Sequence, residues 1–269
     1  MKGKVVVITG GSSGIGKALA EVFGRNGSQV VITGRDIDAL HRAAQHLSNL
    51  GITVLPIQAD VTIPADNERM AQTTIEHFGK IDILINNAGI SMRALFEEVD
   101  LQVVKKVMDI NFYGALYATK ACLPSIIANK GSVVGISSIA GYRGLPGRTG
   151  YSASKFALQG FLEVLRTEMI PKGVHVLTAC PGFTASNIRM RSLTKDGTPQ
   201  GESPRDESKM MSAEECAEHI YRAVVKRKKI LILTTVGKLT VFFNKWFPGW
   251  MDTVVLKYMA REANAPLKG

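Results

Sequence analysis

Tyr151 and Lys155 stand four residues apart in Tyr151-Ser-Ala-Ser-Lys155, and Ser138 lies thirteen residues before the tyrosine. On a helix running from Thr149 to Ile170 the phenol and the ammonium fall one turn apart on the same face. An unperturbed tyrosine has a pKa of about 10, and a nearby positive charge favours its ionised form, moving it toward the range where acid-base catalysis is efficient. Ser138 offers a hydroxyl that could orient a substrate oxygen. Far upstream, Thr9-Gly-Gly-Ser-Ser-Gly-Ile-Gly16 follows the apolar run Lys4-Val-Val-Val-Ile-Thr9 and leads into the helical pattern of Ile15 to Phe23. Such a turn presents backbone N–H groups and a helix N-terminus to a pyrophosphate. A dinucleotide site and a proton donor together are what hydride transfer to a carbonyl requires.

The elements that must position these groups read as strands alternating with helices. Short Val- and Ile-rich runs occur near Val5 to Thr9, Gln29 to Thr33, Thr53 to Gln58, Ile81 to Asn86, Gly131 to Ser137, Val174 to Ala179 and Ile230 to Leu233, with helical patterns between them. Continuous rather than alternating apolar strands imply that both faces are covered, so the chain reads as an α/β Rossmann fold, a doubly wound parallel sheet with helices on both faces and right-handed crossovers. In such a sheet, ligands bind beyond the carboxyl ends of the strands, where the strand order reverses. The chemistry-bearing residues all fall at such ends. One domain over residues 1–269 is expected, with a polar, turn-rich mobile loop at about 189–211 and an apolar extension at about 234–260.

At this point the chain resembles the short-chain dehydrogenase/reductase family, in its classical branch, from Lys2 to about Leu233. The family's glycine motif matches Thr9, Gly10, Gly14, Ile15 and Gly16. Its Asn-Asn-Ala-Gly motif matches Asn86, Asn87, Ala88 and Gly89, and its catalytic tetrad falls on Asn111, Ser138, Tyr151 and Lys155. The resemblance implies seven strands in the order 3-2-1-4-5-6-7 and a nicotinamide cofactor. Tyr151 would then be the proton donor, and Lys155 would lower its pKa and bind the nicotinamide ribose. Asn111 would hold a water that links Lys155 to solvent. Ser137 and Ser138 compete for the substrate-orienting role; the interval to Tyr151 favours Ser138, and strand alternation turns its neighbour the other way.

The choice of cofactor rests on the end of the second strand, Thr33-Gly34-Arg35-Asp36. A free 2′-hydroxyl is usually met there by a carboxylate and a 2′-phosphate by a cation. Gly34 occupies the family's acidic position and Arg35 follows it, so NADP(H) is expected, with Ser12 as a second phosphate contact and Ser13 in the same turn. Asp36 is explained instead as the N-cap of a helix from Ile37 to Leu50. Asp60, followed by Val61, matches the position that meets the adenine amino group, and Asn87, Ala88 and Gly89 would line the ribose side. After the sixth strand the chain reads Pro181-Gly182-Phe-Thr184-Ala-Ser186. Ser186 stands where the family has threonine, and either Thr184 or Ser186 could bond the nicotinamide carboxamide.

Composition narrows the remaining choices. The 33 basic and 23 acidic residues give a net charge of +10, but no helix-turn-helix, zinc-finger or RNA-binding signature accompanies it, and Lys226-Arg-Lys-Lys229 suits the end of a helix. No nucleic-acid partner is expected. Cys122, Cys180 and Cys216 are scattered and lack metal-ligand spacing, so no metal is expected. The first residues leave no room for a signal peptide, which points to a cytoplasmic protein.

The apolar tail, with its Trp246-Phe-Pro-Gly-Trp250 core, loosely resembles that of 11β-hydroxysteroid dehydrogenase-like members. That likeness favours a hydrophobic ketone of lipid, steroid or aromatic type over a sugar or polyol ketone or a carrier-bound thioester. The tail is expected to cover the crevice, pack in a homodimer or homotetramer, or touch a membrane surface peripherally. The rival reading is an NADPH-binding regulatory or scaffold protein without turnover.

Overall fold

The computed structural model describes residues 1–267. Seven strands form one parallel sheet: β1 (Val5–Ile8), β2 (Gln29–Gly34), β3 (Val54–Gln58), β4 (Ile83–Asn86), β5 (Ser132–Ile136), β6 (His175–Cys180) and β7 (Ile230–Ile232). Their order is β3-β2-β1-β4-β5-β6-β7, as expected, and every adjacent pair is parallel. The chain reverses direction across the sheet between β1 and β4, which makes the carboxyl ends of those two strands the natural crevice.

Period-2 alternation sorts the strand side chains between two cores. Val6, Ile8, Val30, Ile32, Ile85 and Val134 pack on one face with α1 (Gly14–Arg25), α2 (Ile37–Asn49) and α7 (Ala213–Val225). Val7, Val31, Leu84, Val133 and Val176 point the other way, against α3 (Pro64–Phe78), α5 (Gly114–Ala128) and α6 (Thr149–Glu168). Burying both faces explains why these strands lack polar alternation. Asp36 accepts a hydrogen bond from the Ala39 N–H at 3.0 Å and so caps α2. On the other face, α6 seats so closely on β5 that a Cβ on Gly135 would lie 2.3 Å from Leu162 Cδ1. A bare glycine therefore sets how near the Tyr151 helix comes to the strand that leads to Ser138.

At the amino end of the sheet, the buried Asp82 accepts from the Val5 N–H at 2.9 Å and pairs with Lys4 at 2.7 Å and Lys80 at 3.1 Å. Burial pushes its carboxyl up, but the bonds from Lys4, Val5 and Lys80 outweigh this and hold it below the ordinary carboxylate range.

The helical stretch that carries Asn111 is not α-helical throughout. Between α4 (Leu101–Met108) and α5, the residues Asp109–Tyr113 form a π turn. The 189–211 segment is irregular apart from a 3₁₀ turn at Glu207–Lys209. It is nevertheless tied down: Leu193 is buried among Met92, Val99, Val103 and Val107, its N–H donates to Ser91 O, and its carbonyl accepts from the Arg93 N–H.

The extension forms α8 (Thr235–Trp246) and α9 (Pro248–Met259). Met251, Val255 and Met259 are buried against Leu145, Phe243, Val254 and Leu267. Val236, Leu239, Phe242, Trp246, Phe247 and Trp250 remain exposed. Packing within the chain thus accounts for one side of the extension and leaves an aromatic side uncovered. Among the described residues no helix is long and apolar enough to cross a membrane.

Candidate active site

The turn after β1 is held shut by Thr9 and Asn87. Thr9 Oγ1 accepts from the N–H groups of Asn87 and Ala88, each at 3.0 Å, and Asn87 Nδ2 donates to Thr9 O at 2.9 Å and Gly10 O at 3.1 Å. These bonds join the carboxyl ends of β1 and β4. Gly10 adopts φ +64°, which a side chain would strain. A Cβ on Gly16 would lie 2.2 Å from Gly10 O and 2.5 Å from Asn87 Nδ2, so only glycine lets the first turn of α1 pass this close. Ser13, at the N-cap of α1, makes no side-chain capping bond, and Gly14 and Ile15 begin the helix. The first N–H groups of α1 thus face the mouth of the crevice, a geometry that fits a dinucleotide's pyrophosphate.

Ser12, Gly34 and Arg35 meet at the end of β2. Ser12 Oγ lies 3.4 Å from where a Cβ on Gly34 would stand, and the half-exposed Arg35 reaches Asp60 with Nη1–Oδ2 at 3.9 Å. Asp60 also accepts from the Thr62 N–H and hydroxyl at 2.9 and 2.8 Å, which fixes its carboxylate at the end of β3. Val61 is buried and packs against Gly114 at the start of α5. Pro181 and Gly182 follow β6, and Ile139 donates its N–H to Pro181 O at 3.3 Å. Thr184 and Ser186 differ in setting. Thr184 is buried, its hydroxyl donating to Gly182 O at 3.4 Å and also bonding to Cys216. Ser186 stands beside the glycine turn, with its Cβ 3.5 Å from a Cβ built on Gly14.

Ser138, Tyr151, Lys155 and Asn111 converge from β5, α6 and the π turn. The Ser138 hydroxyl lies close enough to the Tyr151 phenol to lower its pKa. Ser137 turns away, its hydroxyl donating to Lys155 O at 3.3 Å and accepting from Gln159 at 2.9 Å. Lys155 is buried, donates to Ile136 O at 2.9 Å, and lies 5.6 Å from the centre of the Tyr151 ring. Asn111 is almost wholly buried; it accepts from the Ile90 N–H at 2.8 Å, and donates to Ile90 O and Ser154 Oγ, both at 2.9 Å. Its carbonyl oxygen and Lys155 Nζ flank Gly89, 3.2 and 3.6 Å from where a Cβ there would lie. The π turn makes this possible, since the extra residue swings Asn111 inward toward Ile90.

The charges around the phenol differ from the sequence expectation. Burial pushes Tyr151 up, and the Ser138 hydroxyl together with the positive charges of Arg189 and Arg148 draws it only partly back, leaving it above the ordinary tyrosine value. Burial likewise moves the Lys155 ammonium down, to about 8. Sequence reasoning overlooked Arg148, although it sits three residues before Tyr151, and Arg189. Each of the two acquires its importance only where separate loops meet.

The sequence pattern that describes the short chain dehydrogenase family matches residues 4–197. The chain belongs to the short-chain dehydrogenase/reductase family. Among relatives of this family, dehydrogenase/reductase SDR family member 7B of Mus musculus is 37% identical over 97% of this chain and 83% of its own length. An SDR family protein 7-like of Drosophila melanogaster is 33% identical over 100% of this chain and 84% of its own. A short-chain dehydrogenase/reductase from Burkholderia phymatum, solved in complex with NAD, superposes with a TM-score of 0.83 at 25% identity, covering 93% of this chain and 95% of that one. An alcohol dehydrogenase from Thermococcus sibiricus, complexed with 5-hydroxy-NADP, gives 0.76 at 26% identity, covering 87% and 97%. As a member of this family, the chain is an oxidoreductase with a nucleotide-binding Rossmann fold.

Proposed function

We propose that this short-chain dehydrogenase/reductase uses NADP(H) to reduce a hydrophobic ketone to a secondary alcohol. The observation that carries the reading is the convergence of Ser138, Tyr151 and Lys155 beside the glycine turn. NADP(H), when bound, supplies or accepts the hydride. Ser138 orients the substrate oxygen and Tyr151 delivers a proton to it. Burial raises the pKa of the phenol rather than lowering it, and the protonated phenol is the form that can give a proton to the developing alkoxide. Lys155, with a pKa of about 8, remains largely charged at neutrality and serves the ribose, while Asn111 fixes the backbone at Ile90 beside it.

The preference for NADP(H) is supported by Gly34, Arg35 and Ser12, with Asp60 turned toward the adenine side. Ser186 suits the nicotinamide carboxamide better than Thr184, whose hydroxyl is already engaged. A substrate with an apolar body is supported by Phe183, Met210, Met211, Val236 and Tyr258, which form the apolar part of a cavity of about 560 Å³ that Arg205, Asp206, Thr234, Arg261 and Glu262 also line. The exposed aromatic side of α8 and α9, with Lys245 stacked on Trp246, suits peripheral contact with an anionic membrane surface. Homodimer or homotetramer assembly and a cytoplasmic location belong to the same reading.

The deciding experiment is Tyr151→Phe, which removes only the hydroxyl. NADPH oxidation with aromatic, steroidal and long-chain ketones should fall by roughly 100- to 10,000-fold, with NADPH affinity unchanged. Turnover within a few-fold of the parent would falsify the role given to Tyr151 and leave the NADPH-binding scaffold as the better reading.

A further inference from the structure

Beyond α9 the chain folds back over the molecule and buries a carboxylate. Glu262, in the last turns of the chain, has a side chain only 2% exposed and faces three guanidinium groups. Its Oε2 accepts from Arg148 Nη2 at 2.8 Å and lies 3.5 Å from Arg93 Nε, while Oε1 accepts from Arg205 Nε at 2.7 Å. Arg93 also donates to the carbonyl of the next residue, Ala263. Arg205 lies over the rings of both Phe183 and Tyr258, at 4.2 and 4.7 Å from their centres, and bonds the Tyr258 hydroxyl at 3.0 Å. One carboxylate thus joins four separate pieces of chain: the tail, the segment after β4, the loop carrying Arg205, and the start of α6.

Arg148 immediately precedes α6 and lies three residues before Tyr151. Glu262 attracts its guanidinium, whereas Arg93 and Arg205 repel it. The groups that act on the Tyr151 phenol are the Ser138 hydroxyl, Cys180, Arg189 and Arg148, with Lys155 over the ring. Arg189 is itself balanced by Glu207, at 2.9 Å. Glu262 is therefore the carboxylate that both holds Arg148 in place and offsets the positive charge on this side of the proton donor.

We infer that Glu262 is a positioning residue for proton transfer: from the C-terminal tail it fixes Arg148 at the head of α6 and thereby sets the positive charge that Tyr151 experiences. The catalytic meaning of this link rests on Tyr151 being the proton donor. The link itself does not, because it is a statement about electrostatics that can be read without substrate. Its chemical content is directional. Neutralising Glu262 adds net positive charge beside the phenol and favours phenolate, whereas neutralising Arg148 removes positive charge and favours the phenol. A tail that only braced the fold would give both variants the same kind of defect.

The test is the pH titration of Tyr151 followed by NMR of protein labelled with ¹³C at tyrosine Cζ. The chain has 6 tyrosines, and the Tyr151 signal is the one missing from Tyr151→Phe. Glu262→Gln should move the Tyr151 titration to lower pH and Arg148→Gln to higher pH, relative to the parent. If Glu262→Gln does not fold, Arg93→Gln, which removes a cation from the same cluster, should move it to higher pH. Shifts in the same direction for Glu262→Gln and Arg148→Gln overturn the inference, as does the absence of a shift. So does a Tyr151 signal that titrates in neither the parent nor Glu262→Gln before alkaline unfolding. Retained turnover in Tyr151→Phe would instead remove the catalytic assignment and leave the coupling standing.

Discussion

Gly34→Asp tests the cofactor reading at its most exposed point. The position ends β2 with an ordinary backbone, not the left-handed one that would need glycine. A Cβ there meets Ser12 Oγ at 3.4 Å and Leu40 Cδ1 at 3.8 Å, both normal contacts, so a Cβ is accepted without moving the turn. The new carboxylate would stand beside Ser12 and Arg35, where the 2′-phosphate of NADPH is expected. A hydrogen bond to a charged group is worth about 1.5–3 kcal/mol. Because the Arg35 side chain is 59% exposed, solvent screening brings the phosphate contact that the new charge disrupts below that range, to about 1 kcal/mol. A carboxylate accepting from the free ribose diol of NADH adds about 1.5 kcal/mol in the opposite sense. Together these amount to roughly 2.5 kcal/mol, or a swing of about 60-fold in the ratio of NADPH to NADH affinity. Quenching of protein fluorescence on titration with each nucleotide measures both affinities without any substrate. A parent that binds NADH as tightly as NADPH would refute the reasoning, and so would a variant whose preference stays where it was.

Two further outcomes follow from features away from the reacting atoms. Asp82→Ala leaves the buried Val5 N–H without its acceptor and should cost about 1–3 kcal/mol at pH 7, with little added by Lys4, whose side chain is 42% exposed. Since the folded Asp82 carboxyl is held below its unfolded value of about 3.9, its contribution is present in full above that pH and is lost as pH falls below it and through the lower folded value. Denaturant unfolding should therefore show the gap between parent and variant closing in acid; a gap that persists there contradicts the assignment. Replacing Phe242, Trp246 and Trp250 together by Ser should abolish flotation of the protein with vesicles containing phosphatidylserine. Flotation unchanged by the substitutions, or a parent that does not float, removes the membrane reading of the exposed side of α8 and α9.

That the sheet is parallel and covered on both faces was readable from Val- and Ile-rich runs alternating with helical patterns, whereas its strand order came from the resemblance to the family. The glycine turn was equally legible: at Gly16 the need for a missing Cβ is local, and local needs leave local marks. Asn111 was identified by its position in a motif, but not the π turn that carries it, since nothing in Asp109-Ile-Asn-Phe-Tyr113 distinguishes one extra residue per turn from an ordinary helix. Glu262 left no readable mark. Its partners Arg93, Arg148 and Arg205 lie 57 to 169 positions away and meet only when the tail has closed. The exposed aromatics of α8 and α9 were visible as a surplus of apolar residues. Which of them would be covered depended on the packing of α9 on Leu145, which no periodicity announces.

The π turn gives the helical stretch from Leu101 to Ala128 one surplus residue. An α-helix advances about 1.5 Å and turns about 100° for each residue, so one surplus residue shifts the phase between α4 and α5 by roughly that rotation. Upstream of it, Val103 and Val107 face the cluster around Leu193; downstream, Ala118, Cys122 and Ile126 face the sheet. The two faces answer to different neighbours, and the defect is the gearing between them. Healing the helix by losing a residue would bring one half into register only by throwing the other out. The chain would then have to choose between seating its core and holding Asn111 beside Lys155.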